Sequence, residues 1–284
     1  MKKERLYNIE EYHCLDIISL YSNINAHAKA INGLPQNHSE VFNKRGWMLP
    51  FLFSYDTLLW KRWDYWFEII EKGTIDGSGP IPQIKWANTG SNEVQETSKM
   101  LQHCLNHYEA NIDNFADWLI WGLSINKETN INHISQNLNE HYYRAFDLFL
   151  VLKYPTDYLS HILTEETGKG YKSGLGYYPT PFSISEMMVK MSFSDDKSYK
   201  TETVNDPCIG CGAMLLPASN YTLRGYGQDI SKIAISLATI QMYWYAPWYA
   251  FHPNNLKGFN DFKDIIMINS NNKKQKEGQY AFNL

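Results

Sequence analysis

The run Val204-Asn205-Asp206-Pro207-Cys208-Ile209-Gly210-Cys211-Gly212, followed by the apolar Ala213-Met214-Leu215-Leu216, constrains this chain of 284 residues more than any other segment. It reads as a strand entering Asp-Pro, a tight glycine turn and then a helix. In an α/β sheet, such a junction offers backbone N–H groups and close backbone approach to a nucleotide-like ligand. The spacing Asp-Pro-x-x-Gly-x-Gly differs from the G-x-G-x-x-G of dinucleotide turns. Cys208-x-x-Cys211 invites a metal or redox reading, but no second pair completes a zinc site and both thiols sit inside the turn.

The flanks extend this pattern. Upstream lies Gly176-Tyr177-Tyr178-Pro179-Thr180-Pro181-Phe182, then Ile184, Met187, Met188 and Met191 at helical spacing. Two prolines stiffen the segment, and Pro181 is placed to open the helix. Downstream, Tyr226-Gly227-Gln228-Asp229-Ile230-Ser231 reads as a second strand ending in an acid. Asp229 falls 19 residues after Gly210, a separation that suits a carboxylate accepting the two hydroxyls of a ribose. Asp229 is equally a candidate N-cap for a helix over 231–243, whose Ile233, Leu237, Ile240 and Trp244 form an apolar stripe. Ile230 is placed to pack on an adenine face. A third strand is expected at 255–259, ending in Asn260-Asp261-Phe262, and a fourth at 279–284.

Taken in order, these motifs resemble those of the S-adenosylmethionine-dependent N6-adenine DNA methyltransferases, of the type I methylase-subunit kind. Their first motif is written D-P-x-x-G-S-G, and Cys211 stands where they carry Ser. The likeness covers residues 170–264. It implies a pocket for S-adenosyl-L-methionine formed by Tyr178, Thr180, Pro181, Asp206, Cys208, Gly210, Gly212, Asp229, Ile230, Asp261 and Phe262. Thr180 and Pro181 would touch the methionine part and Asp261 the adenine amino group. Phe262 would stack on adenine or belong to the core. DNA is the implied partner and restriction–modification the implied setting.

The family's catalytic motif, Asn/Asp/Ser-Pro-Pro-aromatic, is not found. The exocyclic adenine amine is a weak nucleophile. The target base is flipped out of the duplex, a side-chain oxygen and a carbonyl accept the amine hydrogens, and positioning supplies much of the acceleration. This chain has no Pro-Pro dipeptide. Ala246-Pro247-Trp248-Tyr249 is the nearest imitation, and it reads as a helix stop. No catalytic residue and no metal ligand is assigned. The expectation is therefore a truncated or split methyltransferase that needs a partner for catalysis. The alternative is a non-catalytic cofactor-binding, regulatory or anti-restriction interaction protein. A half-sheet leaves an open edge, which the N-terminal part, a partner chain or a second copy should cover.

The fold class follows: α/β, with a mainly helical N-terminal domain (1–165), a glycine-rich linker (166–177) and a partial Rossmann-like methyltransferase domain (178–284). In the N-terminal part, Tyr55, Leu58, Leu59, Trp63, Trp66, Phe67 and Ile70 predict one helix with an aromatic core face. Further helices are expected from Asn111 to Gly122, through Ile131, Ile134, Leu138, Tyr142, Ala145 and Phe149, and from near Pro155. Residues 73–80 read as a loop. His103 and His107 lie four apart on an expected helix but lack the Glu of the zinc-protease motif. Net charge is −4 and the pI about 6.1, which gives duplex binding no support. With no apolar signal core and no run nearing the ~20 residues of a membrane span, a cytoplasmic location is expected.

Overall fold

The computed structural model describes residues 11–168, 177–193, 198–252 and 280–281. The chain divides into two compact units. One comprises the residues up to Lys61 with Lys85–Thr156; the other comprises Arg62–Ile84 with the residues from Asp157 onward.

The division splits the first long aromatic stripe. After α1 (Cys14–Ala28), the stripe forms two helices, α2 (Leu49–Leu59) and α3 (Arg62–Lys72), instead of one. Lys61 adopts φ +59°, and the N–H groups of Trp60 and Lys61 both close on Asp56 O, at 2.8 and 2.7 Å. A left-handed residue cannot continue a right-handed helix. Only α3 buries its aromatics, Trp63, Tyr65 and Trp66; α2 buries Pro50, Leu52, Ser54 and Asp56 and leaves Tyr55, Leu58 and Leu59 half-buried, so the expected core face holds for the second helix and each helix belongs to a different unit.

The described part of the first unit is helical. It continues with α4 (Asn92–Cys104), α5 (Ile112–Gly122), α6 (Gln136–Ala145) and α7 (Leu148–Lys153). Ser91, Asn111, Ser135 and Asp147 each cap the helix that follows by accepting the N–H three residues on. These caps correct two expectations. The apolar run from Ile131 to Phe149 is not one helix: Ser135 starts α6, so Ile131 and Ile134 reach the core from a loop, and Asp147 starts α7. His107 is not on the helix of His103, because α4 ends at Cys104. The core centres on Trp118, whose indole N–H donates to Asn139 Oδ1 at 2.9 Å, with Trp47 and Tyr142 each 5.5 Å from it, ring to ring.

The second unit is mixed α/β. To α3 it adds α8 (Tyr158–Gly168), α9 (Phe182–Ser192), β1 (Thr203–Asp206), α10 (Leu215–Ala218), β2 (Arg224–Asp229), α11 (Lys232–Tyr245), α12 (Pro247–Ala250) and β3 (Tyr280–Ala281). β1 and β2 pair in parallel, from Thr203 opposite Arg224 to Asp206 opposite Gly227. The glycine turn and α10 make the crossover that a parallel pair requires. The strand expected at 279–284 is represented by Tyr280–Ala281, which pairs antiparallel with β2 at Asp229 and Gln228, so the described sheet is not wholly parallel. The strand expected at 255–259 lies outside the described residues, as do linker residues 169–176. α11 stops at Tyr245 and α12 opens at Pro247, as the Ala246-Pro247 pair implied.

α3 enters this unit through a buried arginine. Arg62 Nε donates to Pro82 O at 2.9 Å, Nη1 to Ser219 Oγ (2.8 Å) and Tyr245 O (2.5 Å), and Nη2 to Ser219 O (3.2 Å) and Asn220 Oδ1 (2.5 Å). Its guanidinium lies 4.6 Å from the Trp248 ring centre. Trp63 and Trp66 are buried beside it and donate to Tyr243 O and Phe251 O. Arg62 is therefore a core residue of this unit. Among the described residues, no helix is long and apolar enough to cross a membrane.

Candidate functional site

Both parallel strands end in a carboxylate, Asp206 on β1 and Asp229 on β2, and both line a pocket of about 460 Å³. That volume lies within the roughly 300–1,000 Å³ of small-molecule sites, and the carboxyl ends of strands are where open α/β sheets hold ligands. Tyr178, Thr180, Cys208, Gly210 and Ile230 also line it. Two of the expected residues do not. Pro181 is the N-cap of α9, and Gly212 sits behind the turn, at φ +102°, where a Cβ would come within 2.6 Å of Met242. Asp261 and Phe262 lie outside the described residues.

The hydrogen bonds of the turn reverse one expectation. Pro207 has no N–H, and the next five N–H groups are all taken internally. Cys208 donates to Asp206 Oδ1 at 3.1 Å, Ile209 to Gln228 O at 3.0 Å and Gly210 to Asp229 Oδ2 at 2.9 Å. Cys211 donates to the Tyr177 hydroxyl at 3.3 Å and Gly212 to Ile209 O at 2.8 Å. The turn thus offers an approaching ligand no backbone N–H from residues 207 to 212, and it is not an anion cradle. What faces the pocket is acceptor-rich: two carboxylates and no lysine, arginine or histidine among the lining residues.

Asp229 does not cap α11 directly. Ser231 does, accepting Ala234 N–H at 3.3 Å, while Asp229 Oδ1 accepts Ser231 N–H at 2.8 Å. With one N–H on each oxygen, the carboxylate is fixed in orientation. Each oxygen still has a second lone pair for a ligand hydroxyl. Burial, and then the charge of Asp229, hold the Asp206 carboxyl above its ordinary 3.8, despite the Cys208 N–H. Two neighbouring carboxylates in a partly desolvated pocket favour a cation between or beside them.

Beneath the turn is a buried polar network. Gln241 Oε1 accepts the N–H groups of Tyr158 and Leu159, at 3.1 and 3.3 Å, while its amide donates to Asp157 Oδ1 and Cys211 O, both at 2.8 Å. Tyr177 completes it, donating to Ser160 Oγ at 2.9 Å. Its ring also explains Gly210: at φ +54°, a Cβ there would sit 3.1 Å from Tyr177 Cε2. Burial pushes the Tyr177 hydroxyl and the Cys211 thiol up, so both stay protonated near neutrality, which removes Cys211 from thiolate chemistry. Sequence reading missed Ser160, Ser231, Gln241 and the role of Tyr177. Adjacent tyrosines gave no sign which one turns under the glycines, and Ser160 is far upstream.

The strand–turn–helix–strand from β1 to β2 thus places a ligand-sized, acid-lined pocket at the carboxyl ends of two parallel strands. Residues 157–255 match the family model described as N-6 DNA Methylase. The match begins at Asp157, where the longer stretch of the second unit begins. No curated protein and no solved structure matches the chain.

Proposed function

We propose that the second unit is the S-adenosylmethionine-binding part of an N6-adenine DNA methyltransferase, with a partial Rossmann-like fold. One observation carries this reading: the glycine turn consumes its own N–H groups and faces the pocket with Asp206 and Asp229. A pyrophosphate there would meet two carboxylates and no backbone donor from residues 207–212. S-adenosylmethionine brings a sulfonium, an ammonium and a ribose diol, which are the positive charges and donors such a surface accepts. When bound, it supplies an electrophilic methyl group. Asp229 would accept the diol hydroxyls, Asp206 would lie near positive charge, and Tyr178 and Ile230 would cover the apolar faces of the ligand.

Residues 1–284 hold no Asn/Asp/Ser-Pro-Pro-aromatic segment. Ala246-Pro247-Trp248-Tyr249 does not replace it, since Trp248 and Tyr249 are buried and the Tyr249 hydroxyl is bonded to Thr222 O. Activation of the adenine amine is therefore assigned to residues outside 1–284, in a partner or in a continuation of this chain. The open edge of β1, which pairs only with β2 among the described residues, is where they would join, with DNA as the substrate.

Calorimetry tests the binding. S-adenosylmethionine should bind, and ATP and NADH should not. Absence of heat with S-adenosylmethionine, or equal binding of ATP, would overturn the reading. A tritiated-methyl assay on unmethylated DNA should give no transfer by the chain alone. Transfer would mean that the amine acceptor is in this chain after all.

A further inference from the structure

The first unit holds a cavity of its own. It measures about 490 Å³ and lies among α4, the end of α6 and the start of α7. Where the pocket of the second unit is lined by no basic side chain, this one is lined by Lys99, His103, His141 and Arg144. Lys99, His103 and Arg144 are exposed and form its rim, while Met100, Phe146 and the buried Leu150 supply an apolar wall. Two acids share the lining, and both are engaged. Glu96 pairs with Lys99 at 2.7 Å, and Asp147 Oδ1 accepts Leu150 N–H at 3.2 Å. With neutral imidazoles the lining carries no net charge, and with both imidazoles protonated it carries two positive charges. Arg144 Nε and Nη2 both bond Glu140 Oε1 at 2.8 Å, which leaves Nη1 without a partner among the described residues.

His141 decides what can enter. Its Nε2 lies 2.9 Å from His103 O. A carbonyl only accepts, so Nε2 carries the hydrogen and the neutral ring presents Nδ1 as a lone pair. Nδ1 has no partner among the described residues, and an anion reaching it needs a proton there. The His141 ring lies 5.2 Å from that of His103 and 5.1 Å from that of His107. The charged groups around the three rings, besides those of the lining, are Glu140, which pairs with His38 and Arg144, and Glu109, 4.0 Å from His107 Nδ1. Touching imidazoles resist becoming cationic together unless a negative group joins them. A metal ion is not that cavity's ligand: His141 Nε2 is spent on His103 O, His107 Nδ1 accepts Glu109 N–H at 3.3 Å, and among the described residues no three His, Cys, Asp or Glu side chains are placed to hold one. Donors on separate helices suit the three oxygens of a phosphoryl group better than a planar carboxylate. A rim that reaches two positive charges matches the nearly two negative charges of a phosphate monoester, whereas a polyphosphate would run against Glu96 and Asp147. The apolar wall is left for a ring.

We propose that the first unit carries a second ligand site, for a phosphate monoester of a small planar ring. Lys99, His103, His141 and Arg144 hold the phosphoryl group, the ring lies against Met100, Phe146 and Leu150, and binding draws a proton from solvent onto His141 Nδ1. The site does not depend on what the acid-lined pocket binds.

Calorimetry on the full chain tests this, with phenyl phosphate as the probe at about pH 7.5, where it is the dianion. It should bind, with a heat that differs between two buffers of unequal ionisation heat, because a proton is taken up. Phenol should not bind, and inorganic phosphate should bind at least roughly tenfold more weakly. Lys99→Ala with Arg144→Ala, at side chains 65 and 72% exposed, should keep the fold and lower the affinity at least roughly tenfold. His141→Gln retains an N–H for His103 O and should abolish the buffer dependence. No binding of phenyl phosphate would overturn the proposal, as would phenol or inorganic phosphate binding as tightly, an affinity indifferent to the double change, or a buffer-independent heat in the parent. Displacement of the probe by S-adenosylmethionine would put it in the other pocket and overturn the proposal too. A single-stranded oligonucleotide that binds where phenyl phosphate does not would give the basic rim to nucleic acid instead.

Discussion

Tyr177→Phe tests whether the turn is held from below, because it removes one oxygen and leaves the ring under Gly210. The hydroxyl accepts the Cys211 N–H at 3.3 Å and donates to Ser160 Oγ at 2.9 Å. Cys211 is fully buried, so its N–H would have no water to turn to. A buried donor left unpaired costs about 1–3 kcal/mol. At about 2 kcal/mol, the variant should unfold at visibly lower urea with an unchanged slope, followed by the fluorescence of the buried Trp63, Trp66, Trp244 and Trp248. A ligand that needs the formed turn would lose at most the same energy, a limit of roughly 30-fold in affinity by calorimetry. Tyr178→Phe is the control. Tyr178 is 91% exposed and has no such bond to lose, so stability should stay within about 0.5 kcal/mol of the parent. If Tyr177→Phe matches the parent in both stability and affinity, the turn is not held through this hydroxyl.

The other expectations follow from buried charge and from pH. Arg62→Met should destabilise the second unit by at least about 3 kcal/mol, since five acceptor contacts lose a charged donor; urea denaturation reads it, and a neutral result would remove Arg62 from the core. Burial pushes His252 down from 6.5 to about 4, so the unfolded chain binds its proton first as pH falls. Stability should decline from pH 6.5 to 4, by an amount on the order of 3 kcal/mol, and His252→Phe should flatten that stretch of a denaturation-midpoint profile. Asp206 is shifted the other way: its folded value is raised, so its contribution to stability is present below its ordinary 3.8 and lost as pH climbs through the folded value. Binding of a sulfonium needs the ionised form, so S-adenosylmethionine affinity should fall on acidification through that raised value. The affinity of the uncharged thioether product should change little, and parallel profiles for the two in calorimetry would contradict a role for Asp206 in holding the cation.

The parts of the site that could be read from sequence are those whose reasons are local. Asp-Pro followed by two closely spaced glycines announces a turn, and Asp229 announces the end of the next strand, because a few neighbouring residues set each conformation. The helix breaks at Lys61 and Ser135 were less legible. Apolar periodicity continues across both, and only a left-handed residue in one case and a capping hydroxyl in the other interrupts the backbone. Periodicity also cannot say which core a stripe serves. Trp63 and Trp66 read correctly as buried, yet they lie in a unit whose main stretch begins at Asp157.

The least legible property is the one with most bearing on function, the polarity of the glycine turn. From sequence, Asp206–Gly212 is a set of backbone donors open to a nucleotide-like ligand. The structure reverses this because Gln228, Asp229 and Tyr177, which are 19 to 34 residues from the N–H groups they accept, arrive first. Each is an acceptor, and each removes one donor from the mouth of the pocket. Asp229 acts twice over, since it removes the Gly210 N–H and contributes a negative charge. Once those three bonds are made, the same seven residues that would cradle a phosphate instead favour a cation with hydroxyls. On the proposed reading, ligand class is set by how the turn is paired and only secondarily by its glycine spacing, and Asp229→Asn should erode the preference for a cation even where the turn itself survives.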